Sequence, residues 1–356
     1  MKALILAGGK GTRLRPLTNT IAKHLLPVAN RPILFLIMDQ IREAGINDIG
    51  IVVSPENQME LKNALGDGSK WEASITYILQ SSPLGLAHAV KVARDYLDDS
   101  NFLLFLGDNL VKEGVRGLVH EYYEHKPDAL IVLKQVNDPQ AFGVAETDHS
   151  GRILRVIEKP KDPPSNLALV GAYIFTPVVH EAIDQIKPSW RGEYEITDAI
   201  QKLLEWQKIV KSHILQGWWL DTGKKQDLLE ANRIILEEYI INSIRGEIDS
   251  VSKVTGKVEI LDGTKIENCL VKGPVSIGAN CRITDSFIGP YVSIGDGTEI
   301  TGSRIEKSII LSNSRIIDIP LITDSVIGRN VEVIKQPRKN LETSILFLGD
   351  YAQIEL

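Results

Sequence analysis

Glycines and an arginine that directly follow an apolar run at the N-terminus could bind a chain of phosphates. The run Lys2 to Leu6 has a short strand pattern, and it leads into Gly8, Gly9, Gly11 and Arg13. Glycines let backbone N–H groups approach phosphate oxygens without obstruction. An arginine presents a fork of charged donors to the same oxygens. The segment therefore predicts a site for a triphosphate.

Two better-known glycine motifs fit this segment poorly. A P-loop lysine is followed by Ser or Thr, whereas Lys10 is followed by Gly11. The dinucleotide fingerprint requires a small residue where Leu14 stands. The acidic residue nearest the expected distance, Asp39, falls in a helical pattern. A glycine turn that binds no ligand remains the simpler alternative for the glycines alone.

Three further charged residues have positions that suggest phosphate and metal chemistry. Lys23 interrupts the apolar stretch Ile21 to Val28, where a buried ammonium is costly without an anionic partner. Asp108 follows a five-residue apolar run, and Asp221 follows two tryptophans and a leucine. Two carboxylates together with phosphate oxygens suit Mg²⁺. The sequence alone does not connect the two aspartates, and either could be an ordinary turn residue.

With Lys23-His24-Leu25-Leu26-Pro27-Val28 added, the N-terminal segment resembles the sugar-1-phosphate nucleotidyltransferases. Later segments, in the same order along the chain, resemble one branch of that family, the glucose-1-phosphate thymidylyltransferases. These segments are Gln80-Ser81-Ser82-Pro83-Leu84-Gly85-Leu86-Ala87, Leu106-Gly107-Asp108-Asn109, Glu158-Lys159-Pro160, Arg191-Gly192-Glu193-Tyr194-Glu195-Ile196-Thr197-Asp198, and Trp219-Leu220-Asp221-Thr222-Gly223. The rest of the chain resembles the extra C-terminal domain of the long form of the enzyme.

The resemblance implies a reaction and a set of site residues. A sugar-1-phosphate oxygen attacks the α-phosphorus of dTTP, pyrophosphate leaves, and Mg²⁺ is the metal. The implied catalytic cations are Arg13 and Lys23, and the implied metal ligands are Asp108 and Asp221. The implied nucleotide contacts are Leu6, Gly8, Gly9, Gly11, Thr12, Arg13, Gln80, Pro83, Gly85 and Asp108. The implied contacts to the glucose 1-phosphate are Gly143, Glu158, Lys159, Val170, Gly171, Tyr173, Arg191 and Trp219.

Several positions leave the choice of substrate open. Gln80 can offer an acceptor and a donor to a pyrimidine edge, but His24 and His88 stand where the family often has Gln, which leaves the base preference open. UTP is the alternative to dTTP, because the 2′-position decides between them and no motif here reads it. Phe142 stands where a Tyr is common, which removes one hydroxyl. Glu193 could reach the sugar or cap the helix that begins at Ile196.

Apolar runs that alternate with helical patterns predict an α/β fold for residues 1–243, a Rossmann-like, mostly parallel sheet covered by helices. The clearest strands are Ile49–Val53, Phe102–Leu106 and Ala129–Leu133, and the clearest helices are Ile33–Ala44, Leu86–Leu97, Val115–Tyr123 and a bridging helix Lys224–Ile244. Ligands in such sheets bind outside the carboxyl ends of the strands. We therefore expect the glycine loop, Asp108 and Glu158 to lie there.

Residues 244–356 have a different pattern, in which apolar residues recur every seventeen positions. The three interleaved columns are Ile260, Ile277, Ile294 and Leu311; Ile266, Ile283, Ile300 and Ile317; and Val271, Ile288, Ile305 and Ile322. Three columns predict a three-sided parallel β-helix, and its hexapeptide repeats resemble the left-handed family. After Ile305 a second register, Ile310/Ile327 and Ile316/Val333, competes with the first and predicts a slip.

Composition excludes several other classes of function. A net charge of −6 disfavours nucleic-acid and membrane binding, which use clustered positive charge. Neither a signal peptide nor a membrane span is recognisable, so we expect a cytoplasmic protein. The two cysteines, Cys269 and Cys281, have no metal-ligand spacing and are expected to be buried apolar residues. The flat sides of a β-helix favour a homo-oligomer without choosing between a dimer and a trimer.

Two alternative functions remain at this point. The β-helix could add sugar acetylation, as in bifunctional relatives, but the last histidine of the chain is His213 and the coils carry none. The chain could also be a non-catalytic regulatory subunit, although it retains Gly11, Arg13, Lys23 and both aspartates. We therefore expect the β-helix to be structural or to serve assembly.

Overall fold

The structure, a computed structural model, describes residues 1–335 and 344–355. Residues 336–343 and 356, within the expected second domain, lie outside the described residues. The chain divides into two compact units, each described by itself. The first unit contains residues 1–10 and 34–221, and the second contains residues 11–33 and the chain from Thr222 onward.

The first part of the chain contains thirteen strands among the described residues. Their bounds are β1 Lys2–Leu6, β2 Pro27–Val28, β3 Arg31–Pro32, β4 Asp48–Val53, β5 Ser74–Leu79, β6 Phe102–Leu106, β7 Asn109–Val111, β8 Ala129–Gln135, β9 Gly143–Thr147, β10 Ile153–Glu158, β11 Leu167–Phe175, β12 Val210–Ile214 and β13 Trp219–Asp221.

A nine-stranded sheet forms the centre of the first unit. Its order is β10-β9-β11-β6-β1-β4-β5, and β8 pairs with β11 and β12. Strands β6, β1, β4 and β5 are parallel, with Leu6 opposite both Val52 and Leu106. Strand β11 joins them antiparallel to β6. Strands β1, β4 and β6 are almost fully buried apolar runs, as expected where both faces of a sheet are covered, whereas the edge strand β5 is partly exposed.

The eight α-helices in the described residues are α1 Ile33–Glu43, α2 Gln58–Leu65, α3 Leu86–Val92, α4 Arg94–Leu97, α5 Arg116–His125, α6 Val178–Gln185, α7 Ile196–Glu205 and α8 Lys225–Tyr239. The expected helix Leu86–Leu97 is thus two helices separated at Ala93. Among residues 1–335 and 344–355, no helix has the length and hydropathy that a membrane crossing requires.

The bridging helix α8 is shorter than the sequence pattern predicts. It ends at Tyr239 because Ile240 is already extended, and Ser243–Ile244 pairs as a strand with Glu259–Ile260. The extension to Ile244 was therefore wrong. The apolar residues that continued the helical pattern belong instead to the first coil of the next domain.

The coils that follow are built from eighteen short strands. Their bounds are β14 Ser243–Ile244, β15 Glu247–Ile248, β16 Lys253–Thr255, β17 Val258–Ile260, β18 Lys265–Glu267, β19 Leu270–Lys272, β20 Val275–Ile277, β21 Arg282–Thr284, β22 Phe287–Ile288, β23 Val292–Ile294, β24 Glu299–Thr301, β25 Arg304–Ile305, β26 Ile309–Ile310, β27 Arg315–Ile317, β28 Val326–Ile327, β29 Glu332–Ile334, β30 Phe347–Leu348 and β31 Gln353–Glu355.

These strands stack as three parallel sheets, which confirms the expected β-helix. The first sheet runs β14-β17-β20-β23-β26-β28-β30, the second β15-β18-β21-β24-β27-β29-β31, and the third β16-β19-β22-β25. Their inward isoleucines and valines form one fully buried core. The stacked parallel strands are those of a left-handed β-helix.

The predicted slip after Ile305 is confirmed, and it corrects two members of the columns. Ile310, not Leu311, lies opposite Ile294, and Ile316, not Ile317, lies opposite Ile300. The side from Ile305 to Ile310 is one residue shorter than the corresponding side of the coil before it. The side from Ile316 to Ile322 is one residue longer, so the coil keeps its total length.

Hydroxyl groups at the coil corners satisfy backbone N–H groups that point inward. Ser286 Oγ accepts the Ser303 N–H at 3.1 Å, and Ser303 Oγ accepts the Ile319 N–H at 3.0 Å. Cys269 and Cys281 occupy equivalent corners, and both are free and buried, as expected. Burial raises the pKa of both thiols, which fits a packing role.

Candidate active site

The glycine loop begins where β1 ends, between two parallel neighbours. The Ala7 N–H donates to the Val52 carbonyl at 2.8 Å, and the Gly107 N–H donates to the Leu6 carbonyl at 3.0 Å. Asn57 holds the same turn, since its Nδ2 donates to the Ala7 carbonyl at 2.6 Å. The carboxyl ends of β1, β4 and β6 therefore meet where Gly8, Gly9 and Asp108 follow, as the topology rule predicts.

Gln80 lies beside this loop at the carboxyl end of β5. Its backbone N–H donates to the Val53 carbonyl at 2.8 Å, and its side chain is buried. A Cβ on Gly8 would lie 3.1 Å from Gln80 Oε1. The structure thus brings together the glycine loop and the residue expected to read a base.

Contacts within the Gln80 loop fix the amide in place. Gln80 Nε2 donates to the Gly85 carbonyl at 3.3 Å and lies 3.0 Å from His88 Nδ1. Gly85 has a φ of 103°, and a Cβ there would lie 2.5 Å from the Tyr194 carbonyl oxygen. Only glycine suits that position. Pro83 lies in the exposed part of the loop between Gln80 and Gly85.

The rest of the glycine segment lies in the second unit, where it forms a compact turn around Lys23. Thr18 Oγ1 donates to the Gly11 carbonyl at 2.8 Å, and a Cβ on Gly11 would lie 3.0 Å from the Lys23 Cβ. Thr12 and Arg13 are exposed, whereas Lys23 is 7% exposed. Lys23 is therefore a buried residue, in keeping with the apolar stretch in which it stands.

Asp227, in the first turn of α8, lies in the field of these cations. Burial raises the pKa of its carboxyl, while Lys224, Arg13 and Lys23 act to lower it. The Asp227 carboxylate partly balances the positive charge of these three cations. A bound phosphate chain would neutralise the same charge. The cationic turn of the second unit is therefore suited to anions.

Both expected metal ligands lie at one two-stranded ribbon of the first unit. Asp108 precedes β7, Asp221 ends β13, and the antiparallel pairing places Asp221 opposite Asn109. Asn109 Nδ2 donates to Asp108 Oδ1 at 2.8 Å. The ribbon supplies the connection between the two aspartates that the sequence could not.

The donor set at this ribbon fits a hard divalent cation. Two carboxylates from neighbouring strand ends leave coordination positions for water and phosphate oxygens, which is how Mg²⁺ is usually bound. Among the described residues, no group of three or more His, Cys, Asp or Glu side chains could hold a metal by itself.

Asn109 links the aspartates to the expected sugar contacts. Its Oδ1 accepts the Trp219 Nε1–H at 2.6 Å and the Gly171 N–H at 3.3 Å. The Trp219 ring lies 4.9 Å from the Phe142 ring, centroid to centroid. Val170, adjacent to Gly171 in β11, is fully buried. Phe142, which stands where a Tyr is common, thus packs against Trp219.

Glu158 is the centre of a second group of predicted residues. It ends β10 opposite Gly143. Glu158 Oε2 accepts the Thr197 hydroxyl at 3.1 Å, and its Oε1 lies 3.5 Å from Arg191 Nη1 and 3.8 Å from Lys159 Nζ. These contacts bring together three parts of the chain, namely Gly143, the pair Glu158-Lys159 and the segment 191–197.

Burial dominates the electrostatics of Glu158. Desolvation raises the pKa of its carboxyl, and Lys159, Thr197 and Arg191 oppose that rise. Burial also raises the pKa of Tyr173, with a further contribution from the Glu158 charge. A half-buried carboxylate of this kind is suited to accept hydrogen bonds from sugar hydroxyls.

The Arg191 loop differs from the expectations for Glu193. Arg191 Nη2 pairs with Glu193 Oε1 at 3.0 Å, and Arg191 Nη1 lies 3.3 Å from Glu195 Oε1. Glu195, not Glu193, occupies the N-cap position of α7, and it makes no side-chain cap hydrogen bond. The capping role for Glu193 was therefore wrong.

Sequence reasoning missed three residues of these groups. Asn57 holds the glycine turn, Asn109 orients Asp108, and Thr197 donates to Glu158. Asn109 and Thr197 stand inside the segments that carried the resemblance, which was the only signal available. Lys10, which does not fit the P-loop pattern, pairs with Glu56 at 2.8 Å on the surface.

Comparison with known proteins assigns the chain. The nucleotidyl transferase family model matches residues 2–238, and the GMPPB C-terminal domain model matches residues 266–355.

The chain belongs to the nucleotidyl transferase family.

The relatives of this nucleotidyltransferase include proteins with and without a similar C-terminal part. It is 45% identical to the glucose-1-phosphate thymidylyltransferase of Streptomyces griseus, over all of this chain and 99% of that protein. It is 38% identical to the UTP–glucose-1-phosphate uridylyltransferase AglF of Haloferax volcanii, over 67% of this chain and 98% of that protein. Both comparisons support an enzyme that acts on a sugar 1-phosphate and a nucleoside triphosphate.

A solved structure gives the same result for the fold. A putative glucose-1-phosphate thymidylyltransferase from Bacillus anthracis, in complex with a sucrose, matches this nucleotidyltransferase with a TM-score of 0.62 and 35% identity. The match covers 66% of this chain and 94% of that chain. Nucleotidyltransferases of this family generally use a divalent metal ion.

Proposed function

We propose that this enzyme transfers the thymidylyl group of dTTP to glucose 1-phosphate, forming dTDP-glucose and pyrophosphate with Mg²⁺ as the metal. The observation that carries the proposal is the convergence of the glycine loop, Gln80 and Asp108 at the carboxyl ends of β1, β5 and β6. The identity to a thymidylyltransferase over the whole chain supports the choice of substrates.

The proposed chemistry is an in-line displacement at phosphorus. An oxygen of the sugar phosphate forms a bond to the α-phosphorus as the bond from that phosphorus to the pyrophosphate oxygen breaks. Alignment and positive charge near the phosphates carry most of the catalysis in such reactions. No protein nucleophile is required.

Each predicted residue then has a role in the proposal. Arg13 binds the β- and γ-phosphates, and Lys23 neutralises the charge of the α-phosphate and of the sugar phosphate. The backbone of Leu6, Gly8, Gly9, Gly11 and Thr12 follows the phosphate chain. Gln80 reads the pyrimidine edge, with Pro83 and Gly85 shaping its loop.

The sugar side follows from the group around Glu158. Glu158 accepts hydrogen bonds from sugar hydroxyls, and Lys159 holds the sugar phosphate. Arg191 is proposed to do the same, although its contacts with Glu158, Glu193 and Glu195 must loosen for it to reach a phosphate. The walls and backbone contacts come from Gly143, Val170, Gly171, Tyr173 and Trp219.

Asp108 and Asp221 would hold the Mg²⁺. When bound, the metal supplies charge neutralisation for the triphosphate. The double variant Asp108→Asn with Asp221→Asn should lose metal-dependent turnover, because amides bind Mg²⁺ far less well than carboxylates. Full turnover by the wild-type enzyme in excess chelator would refute the metal role.

We further propose that residues 1–243 form the catalytic domain and residues 244–356 the β-helix domain, and that the enzyme assembles as a homo-oligomer in the cytoplasm. A uridylyltransferase is the second candidate, favoured by the identity to AglF.

The deciding experiment measures pyrophosphate release from dTTP, UTP, ATP and GTP in turn, with glucose 1-phosphate and Mg²⁺. The proposal expects the highest kcat/KM with dTTP. A preference for UTP would select the second candidate, and no release from any triphosphate would refute both.

A further inference from the structure

A hairpin turn in the second unit is held by side chains from distant parts of the chain. Strands β2 and β3 pair antiparallel, with Val28 opposite Arg31, and the turn between them is Ala29-Asn30. Asn232, on α8, accepts the Ala29 N–H on its Oδ1 at 2.8 Å. The same oxygen accepts the Ser293 hydroxyl of the β-helix at 2.6 Å, and all three groups are buried.

Asn30 ties the turn directly to two successive coils. Its Nδ2 donates to the Ser276 carbonyl at 3.1 Å and to the Ile294 carbonyl at 2.9 Å, and lies 3.0 Å from Ser276 Oγ. An amide nitrogen has two hydrogens, so both are used on the β-helix. Ser276 is itself fixed, since its hydroxyl donates to Glu259 at 2.8 Å.

The backbone of this turn needs such support. Ala29 has a φ of 47° and Asn30 a φ of 59°, and the left-handed region is unfavourable for a residue with a Cβ. Strained residues persist where surrounding structure fixes them. The hydrogen bonds that the turn donates to Asn232 and to the β-helix supply that constraint here.

The other end of the same segment is also fixed to the β-helix. Thr20 Oγ1 donates to Asp350 Oδ2 at 2.9 Å, and Asp350 Oδ1 accepts the Arg329 N–H at 2.7 Å. A Cβ on Gly349 would lie 3.0 Å from the Pro16 Cβ. The segment is therefore anchored at residues 16–20 and again at residues 29–30.

The proposed catalytic cations belong to this anchored segment. Lys23 lies between the two anchors, and Arg13 lies three residues before the first. Both are tied to the anchors through the turn in which Thr18 bonds to Gly11 and Gly11 packs on Lys23. Movement of either anchor would therefore displace the charges.

We propose that the β-helix positions the cationic segment of the active site, and that Asn30 and Asn232 are its positioning residues. The inference rests on the proposed function and goes beyond it, because it gives the C-terminal domain a direct part in turnover. In catalysis by alignment, a displacement of about 1 Å can cost about a hundredfold in rate.

Asn30→Gly is the sharpest test in the full-length enzyme. Glycine accepts a φ of 59° without strain, so the turn survives while every side-chain bond to the coils is lost. Asn232→Ala removes the other support of the same turn, the acceptor of the Ala29 N–H, by a separate substitution. Ser303→Ala is the matched control, since it removes a buried β-helix hydroxyl that bonds only within the coils.

Two measurements separate positioning from stability. The first is steady-state turnover at 25 °C with saturating dTTP and glucose 1-phosphate, after circular dichroism has shown each variant to be folded. The second is amide exchange at Leu14 and Leu26, whose N–H groups bond to the Gly11 and Lys23 carbonyls. Exchange requires no activity, so it tests the anchor even if the wild-type enzyme transfers no thymidylyl group.

The proposal expects Asn30→Gly and Asn232→Ala to lower kcat by about tenfold or more, with a smaller change in KM, and to speed exchange at both amides. Ser303→Ala should lower Tm but leave kcat and the exchange within twofold of wild type. Wild-type kcat in both anchor variants would overturn the proposal. An equal loss of kcat in Ser303→Ala would also overturn it, because general stability would then explain the effect.

Discussion

Two substitutions of Asn109 are expected to affect stability and activity differently. Its Oδ1 accepts the Gly171 N–H and the Trp219 Nε1–H, and its Nδ2 donates to Asp108. Asn109→Ala removes both functions. Asn109→Asp keeps an acceptor for the two N–H groups and replaces the donor with a second negative charge beside Asp108.

The two substitutions have different expected costs. A buried donor left unpaired costs about 1 to 3 kcal/mol. Asn109 is 3% exposed and Gly171 lies in the central strand β11, while the Trp219 ring is only half-buried. Water can therefore satisfy part of the loss at Trp219. We expect Asn109→Ala to lower the free energy of unfolding by about 2 to 4 kcal/mol.

For Asn109→Asp the loss of stability should be smaller, below about 2 kcal/mol, because the two retained hydrogen bonds become charge-assisted and offset part of the cost of burying the carboxylate beside Asp108. Its activity should nevertheless fall by about tenfold or more, since the like charge displaces the carboxylate proposed to bind Mg²⁺.

Urea unfolding, with equal m-values, measures the stability change, and pyrophosphate release over a series of Mg²⁺ concentrations measures the activity. The reasoning is refuted if Asn109→Asp is at least as unstable as Asn109→Ala, or if it keeps wild-type turnover at limiting Mg²⁺.

Three further predictions concern single residues. Arg13→Ala and Lys23→Ala should each leave the fold intact and cut turnover by about a hundredfold or more, as when a preorganised donor is removed; near-wild-type turnover in either would contradict their roles. Gln80→Ala should change the relative rates with dTTP, UTP, ATP and GTP more than the turnover itself, and unchanged ratios would exclude base reading. His180 is buried and, within the described residues, neither ring nitrogen has a hydrogen-bond partner. His180→Leu should therefore raise the free energy of unfolding by about 1 kcal/mol. A urea midpoint at or below that of wild type would contradict this prediction.

The sign of the pH dependence at His180 follows from its burial. Desolvation, with a contribution from Arg94, lowers the pKa of the imidazole in the folded state. The unfolded chain therefore binds the proton more readily as the pH falls below about 6.5. Stability should fall there in the wild type, and the slope should be shallower in His180→Leu. Identical slopes between pH 7 and pH 5 would contradict the assignment.

The sequence predicted those parts of the fold that depend on local periodicity. The isoleucine columns located the three sheets of the β-helix, because burial repeats once per coil. The same periodicity misplaced Leu311 and Ile317, since a shortened side changes the register without changing the apolar character of the residues. The apolar pattern also predicted that α8 continues beyond Tyr239, because Ile240 and Ile244 suit a strand as well as a helix.

Side-chain hydrogen bonds between distant residues were beyond sequence reasoning. Asn30 and Asn232 contact partners that no spacing rule relates to them, and an isolated asparagine in a sequence is indistinguishable from a turn residue. The Asp108 and Asp221 pair is similar, because only the pairing of β7 with β13 places the two side by side. Only the resemblance to a known family predicted that Asp108 and Asp221 act together.

The discontinuous second unit has a consequence for synthesis on the ribosome. Residues 11–33 leave the ribosome long before Asn232, Ser276 and Ile294, and the bond from Asn30 to Ile294 spans 264 positions. At roughly 5 to 20 residues per second, that interval is about 13 to 50 s. The nascent chain carries the segment without its anchors throughout that time, so the segment can reach its final arrangement only after the coils that hold it have been translated.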